Sequence, residues 1–234
     1  NVTGLTVLMD VDTFKNLVKQ NHPLLAQLQE NYLFAVVRGA SEEAGYEISK
    51  AAYQGGIKNI EVTFSTPGAE NVMRKLSDEF AGTDMVVGAG TVLDEVAARI
   101  SIMNGAKFIV SPGLNPKIVK YCVEKNIPIT PGICTPSEAE QAIENGLEVV
   151  KFFPAEPAGG LKMIKAMAAP YTGLKFMPTG GINATNVKEY LAYDKILACG
   201  GSWMVKGSLV EAGEFDKIEA MTKEAVEIVK EVRG

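Results

Sequence analysis

A lysine stands in the middle of the stretch EVVKFFPAE, Glu148 to Glu156, among residues that otherwise read as a buried β-strand. A charged amine inside a strand covered on both faces carries a desolvation cost that an ordinary structural role does not repay. The bland alternative is an edge strand with Lys151 turned to water. Buried lysine has a specific chemical use, because its neutral amine attacks a carbonyl carbon to form a Schiff base. At an ordinary pKa of ~10.4 only about 1 in 2,500 such amines is neutral at pH 7, and a downward shift of about three units requires roughly 4 kcal/mol. Val149, Phe153 and the cation of Arg38 are the groups that could supply it.

Two more ionisable residues sit in strand-like runs, Arg38 in FAVVRG and Glu61 in NIEVTF. Along a strand, side chains alternate between faces. Arg38 shares its face with Val36, Glu61 with Thr63, and Lys151 with Val149 and Phe153. If those faces point inward, Val150 and Phe152 pack against helices and the three charges converge on one interior. Such charges are tolerated when they are paired or used. A purely structural Arg–Glu–Lys network is the alternative; the presence of an acid, and of Thr91 and Thr179 at other strand ends, favours a catalytic cavity.

The elements that position these residues repeat along the chain. From Phe34 onward, strand-like runs FAVVRG, NIEVTF, MVVGAGT, FIVSPG, IPITPGI, EVVKFFPA, KFMPTGG and ILACGGS alternate with amphipathic helical stretches. Helix signals punctuate them: Ser41 as N-cap with Gly55-Gly56 as stop, and Thr135 or Ser137 as cap with Gly146 as stop. This cadence predicts a (β/α)8 TIM barrel, whose active site lies at the C-terminal ends of the strands. A doubly wound open sheet is the runner-up, but GAGTVLDE has GxG without the third glycine of a dinucleotide site. Residues 1–33 fall outside the repeat and read as a helical extension packing on the barrel domain of residues 34–234, with Asp12 or Thr13 as N-cap.

Composition narrows the function. A net charge of −5 without a basic cluster argues against nucleic acid. No apolar run reaches the ~20 residues of a membrane span, and no signal segment is evident, so a cytoplasmic protein without membrane partners is expected. The Asn1 sequon is read as chance. Three widely spaced cysteines, Cys122, Cys134 and Cys199, suit a reducing compartment. Cys134, at a strand end without a histidine partner, reads as an idle thiol. The single histidine, His22, precedes the first strand, leaving little material for a His triad or a His-ligated metal.

Glycine pairs close the last two strands: Gly180 and Gly181 in PTGGI, and Gly200 and Gly201, followed by Ser202, in CGGSW. Small residues with accessible N–H groups after strands seven and eight are where barrels commonly hold a phosphate. Tight turns are the alternative. Trp203 reads as barrel packing or a subunit contact, and EFDKIEAMTKEAVEIVKEV as a terminal amphipathic helix with a solvated face.

With IEVTF, GAGTV, SPGL, KFFPAE, PTGGI and GGSW placed in order at strand ends, the chain from about Phe34 onward resembles the 2-keto-3-deoxy-6-phosphogluconate/4-hydroxy-2-oxoglutarate aldolases. The resemblance implies a class I aldolase with a lysine Schiff base, no metal or other cofactor, and a homotrimer. Its substrates would be a 2-keto acid phosphate and pyruvate. Carried over by motif, it implies Lys151 as the Schiff-base residue and Glu61 as the acid/base acting through water. It likewise implies Thr91 on the pyruvyl carboxylate, Pro112 and Phe153 lining the pocket, and Thr179, Gly180, Gly181, Gly201 and Ser202 on the phosphate side. Some members carry an arginine shortly after the EVT glutamate, where this chain has Ser65; others carry it at the end of the first strand, where this chain has Arg38, which is assigned to the substrate carboxylate. Rival readings are a phosphogalactonate-type aldolase, a phosphosugar isomerase or epimerase, and a non-catalytic phosphate-binding barrel.

Overall fold

The computed structural model describes residues 31–234. The expected N-terminal helices, their Asp12 or Thr13 cap, His22 and the Asn1 sequon lie outside these residues.

Eight strands run in the order β7-β6-β5-β4-β3-β2-β1-β8. They are β1 (Leu33–Val37), β2 (Asn59–Thr63), β3 (Val86–Gly90), β4 (Ile109–Ser111), β5 (Ile129–Ile133), β6 (Val149–Phe152), β7 (Lys175–Pro178) and β8 (Cys199–Gly201). Every paired neighbour is parallel. Parallel bridges Phe176↔Ile196 and Thr179↔Gly200 join β7 to the β8 segment and close the barrel. The (β/α)8 architecture expected from the repeat is therefore the one observed, and the open sheet is set aside.

Between the strands lie α1 (Glu42–Gln54), α2 (Ala69–Glu79), α3 (Glu95–Met103), α4 (Pro116–Glu124), α5 (Pro136–Glu144), α6 (Gly160–Ala168) and α7 (Val187–Leu191). Ser41 accepts from the N–H of Ala44, as its sequence position suggests. Thr135 caps α5 in a reciprocal box with Glu138, settling the choice between Thr135 and Ser137. Each such cap satisfies donors the helix cannot, worth about 1 kcal/mol. After β8 the chain does not enter one helix directly: a 3-10 turn (Trp203–Val205) and a short α8 (Gly207–Glu211) precede α9 (Phe215–Arg233). Helix α9 buries Ile218, Thr222, Ala225 and Val229 on one face. Exposed pairs such as Lys223–Glu219 lie on the other, and each contributes little.

Alternation along the strands sorts the core into two layers. Val150 and Phe152 belong to the layer between barrel and helices. Phe34, Val86, Phe108, Val110 and Met177 fill the barrel interior, with Val149 packed against them. Phe34 and Phe108 meet edge to face at 5.3 Å. Phe108 fits because Gly88 has no side chain; a Cβ there would lie 2.2 Å from its ring.

Candidate active site

Strand β6 lies between β5 and β7, so Lys151 is not on an edge. It is 5% exposed, and Glu61 on β2 is 2% exposed. Burial lowers the Lys151 pKa; Glu61 opposes that shift and Arg38 adds to it. Burial likewise raises the Glu61 pKa against the pull of Lys151 and Arg38. Both residues are thus driven toward their neutral forms, an amine able to attack and a carboxyl able to donate. The Phe153 ring lies 4.8 Å from the Lys151 amine. A ring face favours the cation by a modest amount, which opposes the effect of burial.

Space for these groups is made by glycine on neighbouring strands. A Cβ at Gly90 would lie 2.0 Å from the Glu61 Oε1. Gly132 pairs with Lys151 across β5–β6. A Cβ at Gly132 would meet the carbonyl oxygen of Pro112 at 1.9 Å, so the SPGL turn lies directly over the lysine's neighbour. The sequence reading missed both glycines; a glycine inside a strand pattern is the signal that could have found them.

Arg38, Phe153, Thr179, Gly180, Gly181, Gly201 and Ser202, all singled out from sequence, line one cavity of about 80 Å³. A second, of about 300 Å³, shares Val36, Arg38 and Ser202 with it and adds Lys206 and Ser208. Thr91 and Pro112 line neither cavity. They sit at the ends of β3 and β4, beside Gly90 and across from Gly132. Thr91 holds φ at 55°, a left-handed conformation that costs a β-branched residue about 1–2 kcal/mol. Strain of this kind concentrates at functional positions. Ser65, where an arginine stands in some aldolases, shares a 2.6 Å hydroxyl contact with Thr63, which donates to the Val37 carbonyl beside Arg38.

The glycine loop after β7 is firmly held. Ala155 donates to the Thr179 carbonyl at 2.9 Å and Glu156 to the Gly180 carbonyl at 3.0 Å, extending the β6–β7 ladder beyond both strands. Asn183 and Asn186 both donate to the Gly181 carbonyl. Gly180 and Gly181 adopt φ of 99° and 82°. Tyr190 donates to Glu156. Trp203 is buried against Gly201, which assigns it to barrel packing. Cys134 gives its backbone N–H to Glu138, and burial together with that carboxylate pushes its thiol up, as suits an unreactive group. Among the described residues no cluster of His, Cys, Asp and Glu is arranged to hold a metal, and no helix is long and apolar enough to cross a membrane.

Fold and site together define a (β/α)8 barrel with a lysine–glutamate pair buried at the C-terminal face. Residues 24–221 match the family described as KDPG and KHG aldolase. The chain is 44% identical, over 80% of its length and 88% of the relative's, to the 2-dehydro-3-deoxy-phosphogluconate aldolase of Treponema pallidum. Two solved structures superpose closely. The KDPG aldolase of Legionella pneumophila, with pyruvate captured as a covalent carbinolamine, is 31% identical with a TM-score of 0.80, over 86% of this chain and 97% of that one. The 2-keto-3-deoxy-6-phosphogluconate aldolase of Zymomonas mobilis with 3-phosphoglycerate is 32% identical with a TM-score of 0.81, over 88% and 96%. The chain belongs to the KDPG and KHG aldolase family.

Proposed function

We propose that the protein is a class I aldolase that cleaves 2-keto-3-deoxy-6-phosphogluconate to pyruvate and glyceraldehyde 3-phosphate, and 4-hydroxy-2-oxoglutarate to pyruvate and glyoxylate as a second activity. The observation that carries this reading is the buried Lys151 amine, pushed toward neutrality, beside the buried Glu61 carboxyl at the strand C-termini. Lys151 Nζ attacks the C2 ketone and, with loss of water, forms an imine whose protonated form accepts electrons. Glu61 removes the C4 hydroxyl proton through a water, the C3–C4 bond breaks, and the aldehyde leaves. Glu61 returns the proton to the enamine carbon, and hydrolysis of the imine releases pyruvate.

The remaining assignments follow the motifs, with all but Thr91 and Pro112 lining the smaller cavity. Arg38 and Thr91 hold the substrate carboxylate, Pro112 and Phe153 cover the reacting carbons, and Thr179, Gly180, Gly181, Gly201 and Ser202 receive the phosphate. Because the imine itself is the electron sink, the reaction needs no metal, and activity is expected to survive exhaustive chelation. An isomerase or epimerase has no use for an imine-forming lysine, and a non-catalytic barrel has no use for a buried lysine beside a buried acid. The cytoplasm is the setting this chemistry suits.

The protein assembles as a homotrimer in this reading, and an apolar stripe on and before α3 supports a subunit interface there. Leu93, Val96, Ile100 and Met103 are 62%, 65%, 36% and 68% exposed, at spacings of one helix face. The sequence reading did not single out these residues.

Borohydride reduction in the presence of pyruvate tests the core of the proposal. The expected result is one pyruvyl-derived mass addition, mapped to Lys151 and absent in Lys151→Arg, whose guanidinium stays charged. Labelling of another lysine, or none, overturns it.

A further inference from the structure

The 2-keto acid phosphate of the proposed reaction carries a carboxylate and, at the far end, a phosphate of about −1.5 to −2 charge at pH 7. The glycine loop offers this phosphate neutral backbone donors. Arg38, taken by the carboxylate, lies where the two cavities join. One other cation lines them among the described residues, and it is Lys206. Lys206 stands in the larger cavity with Ser202 and Ser208, and no carboxylate is among the residues lining that space.

Some surface lysines are ion-paired, as Lys188 is with Glu231 and Lys217 with Glu214. Lys206 and Arg38 form no salt bridge among the described residues. Two cations facing one concave volume repel each other, and in a protein of net charge −5 they make a local inversion of sign. An anion entering between them relieves that repulsion and gains charge-assisted hydrogen bonds. Ser202 belongs to both cavities and so joins the glycine-lined space to the one holding Lys206.

We propose that Lys206 is a specificity residue that supplies the positive charge by which the enzyme prefers a phosphorylated substrate to the same carbon chain without phosphate. The proposal rests on the aldolase reading. As a point charge on a flexible stem, lysine follows the dianion without fixing its orientation, which the glycine N–H groups and the Ser202 hydroxyl do.

The test compares kcat/KM for 2-keto-3-deoxy-6-phosphogluconate and for unphosphorylated 2-keto-3-deoxygluconate in wild type, Lys206→Met and Lys206→Arg. In Lys206→Met the phosphorylated-to-unphosphorylated ratio is expected to fall about tenfold or more, the scale of one lost charge-assisted contact. In Lys206→Arg most of it is kept. The wild-type preference also falls with added salt. An unchanged ratio in Lys206→Met overturns the proposal, as does an equal loss with both substrates. Pyruvate trapping in the wild type separates the two levels: trapping with an unchanged ratio rejects Lys206 alone, while failure to trap rejects the aldolase reading beneath it.

Discussion

The Glu61 carboxylate rests against Gly90 of the neighbouring strand, where a Cβ would lie 2.0 Å from Oε1 and 2.7 Å from Cδ. Thr63 pairs with Gly90 and Glu61 with Gly88, so both interior positions of β3 opposite the acid lack side chains. Gly90→Ala therefore displaces the acid rather than the nucleophile. Pyruvate remains trappable on Lys151, while exchange of its methyl protons into deuterated water, which needs the relay, falls by about 100-fold or more. Parallel losses in both assays, with the fold intact by circular dichroism, would show that Gly90 only supports the barrel.

The coupling of Lys151 to its two charged neighbours has a sign that pH can read. The amine is neutral above its pKa, so trapping rises with pH through a midpoint below the ordinary 10.5. Removing the acid in Glu61→Gln takes away the group that favours the ammonium form, and the midpoint moves to lower pH. Removing the cation in Arg38→Met moves it to higher pH. Shifts in the same direction for the two variants contradict the assigned electrostatics.

Gly181 has φ of 82°, and a Cβ there would lie 2.6 Å from the Glu156 Cβ. Gly181→Val thus strains the loop proposed to receive the phosphate. Its kcat/KM for the phosphorylated substrate is expected to drop by at least tenfold more than for 4-hydroxy-2-oxoglutarate, whose shorter chain does not reach the loop. Matching losses for the two would assign the glycines to the scaffold.

For the assembly, the measured quantity is mass in solution. Light scattering on the wild type should give three chains, and the double change Val96→Glu and Met103→Glu should give one, because burying two carboxylates without partners costs several kcal/mol. A wild-type monomer ends the trimer reading; a trimer that survives the double change places its interface elsewhere.

The barrel was legible because its strands are covered on both faces and read as apolar runs, which charged residues rarely interrupt. Lys151, Glu61 and Arg38 stood out by that contrast, and alternation alone told which face Val150 and Phe152 would take. Gly88, Gly90 and Gly132 were not legible in the same way, since their contribution is volume left empty, visible only once the partner strand is in register. Lys206 looked like any loop lysine, and the exposed stripe of Val96 and Met103 like any helix face, until folding set each beside a cavity or open solvent. The 3-10 turn and α8 after β8 merge, in sequence, with the pattern of the helix that follows.

Hydrogen bonds from Ala155 to Thr179 and from Glu156 to Gly180 carry the β6–β7 pairing past the ends of both strands. Lys151 and Gly181 consequently ride on one continuous piece of sheet. A shift of α6 or α7 against the barrel moves both together and leaves their separation unchanged. On the proposed reading, backbone pairing rather than helix packing sets the distance between amine and glycine loop, and with it the length of keto acid phosphate that spans them.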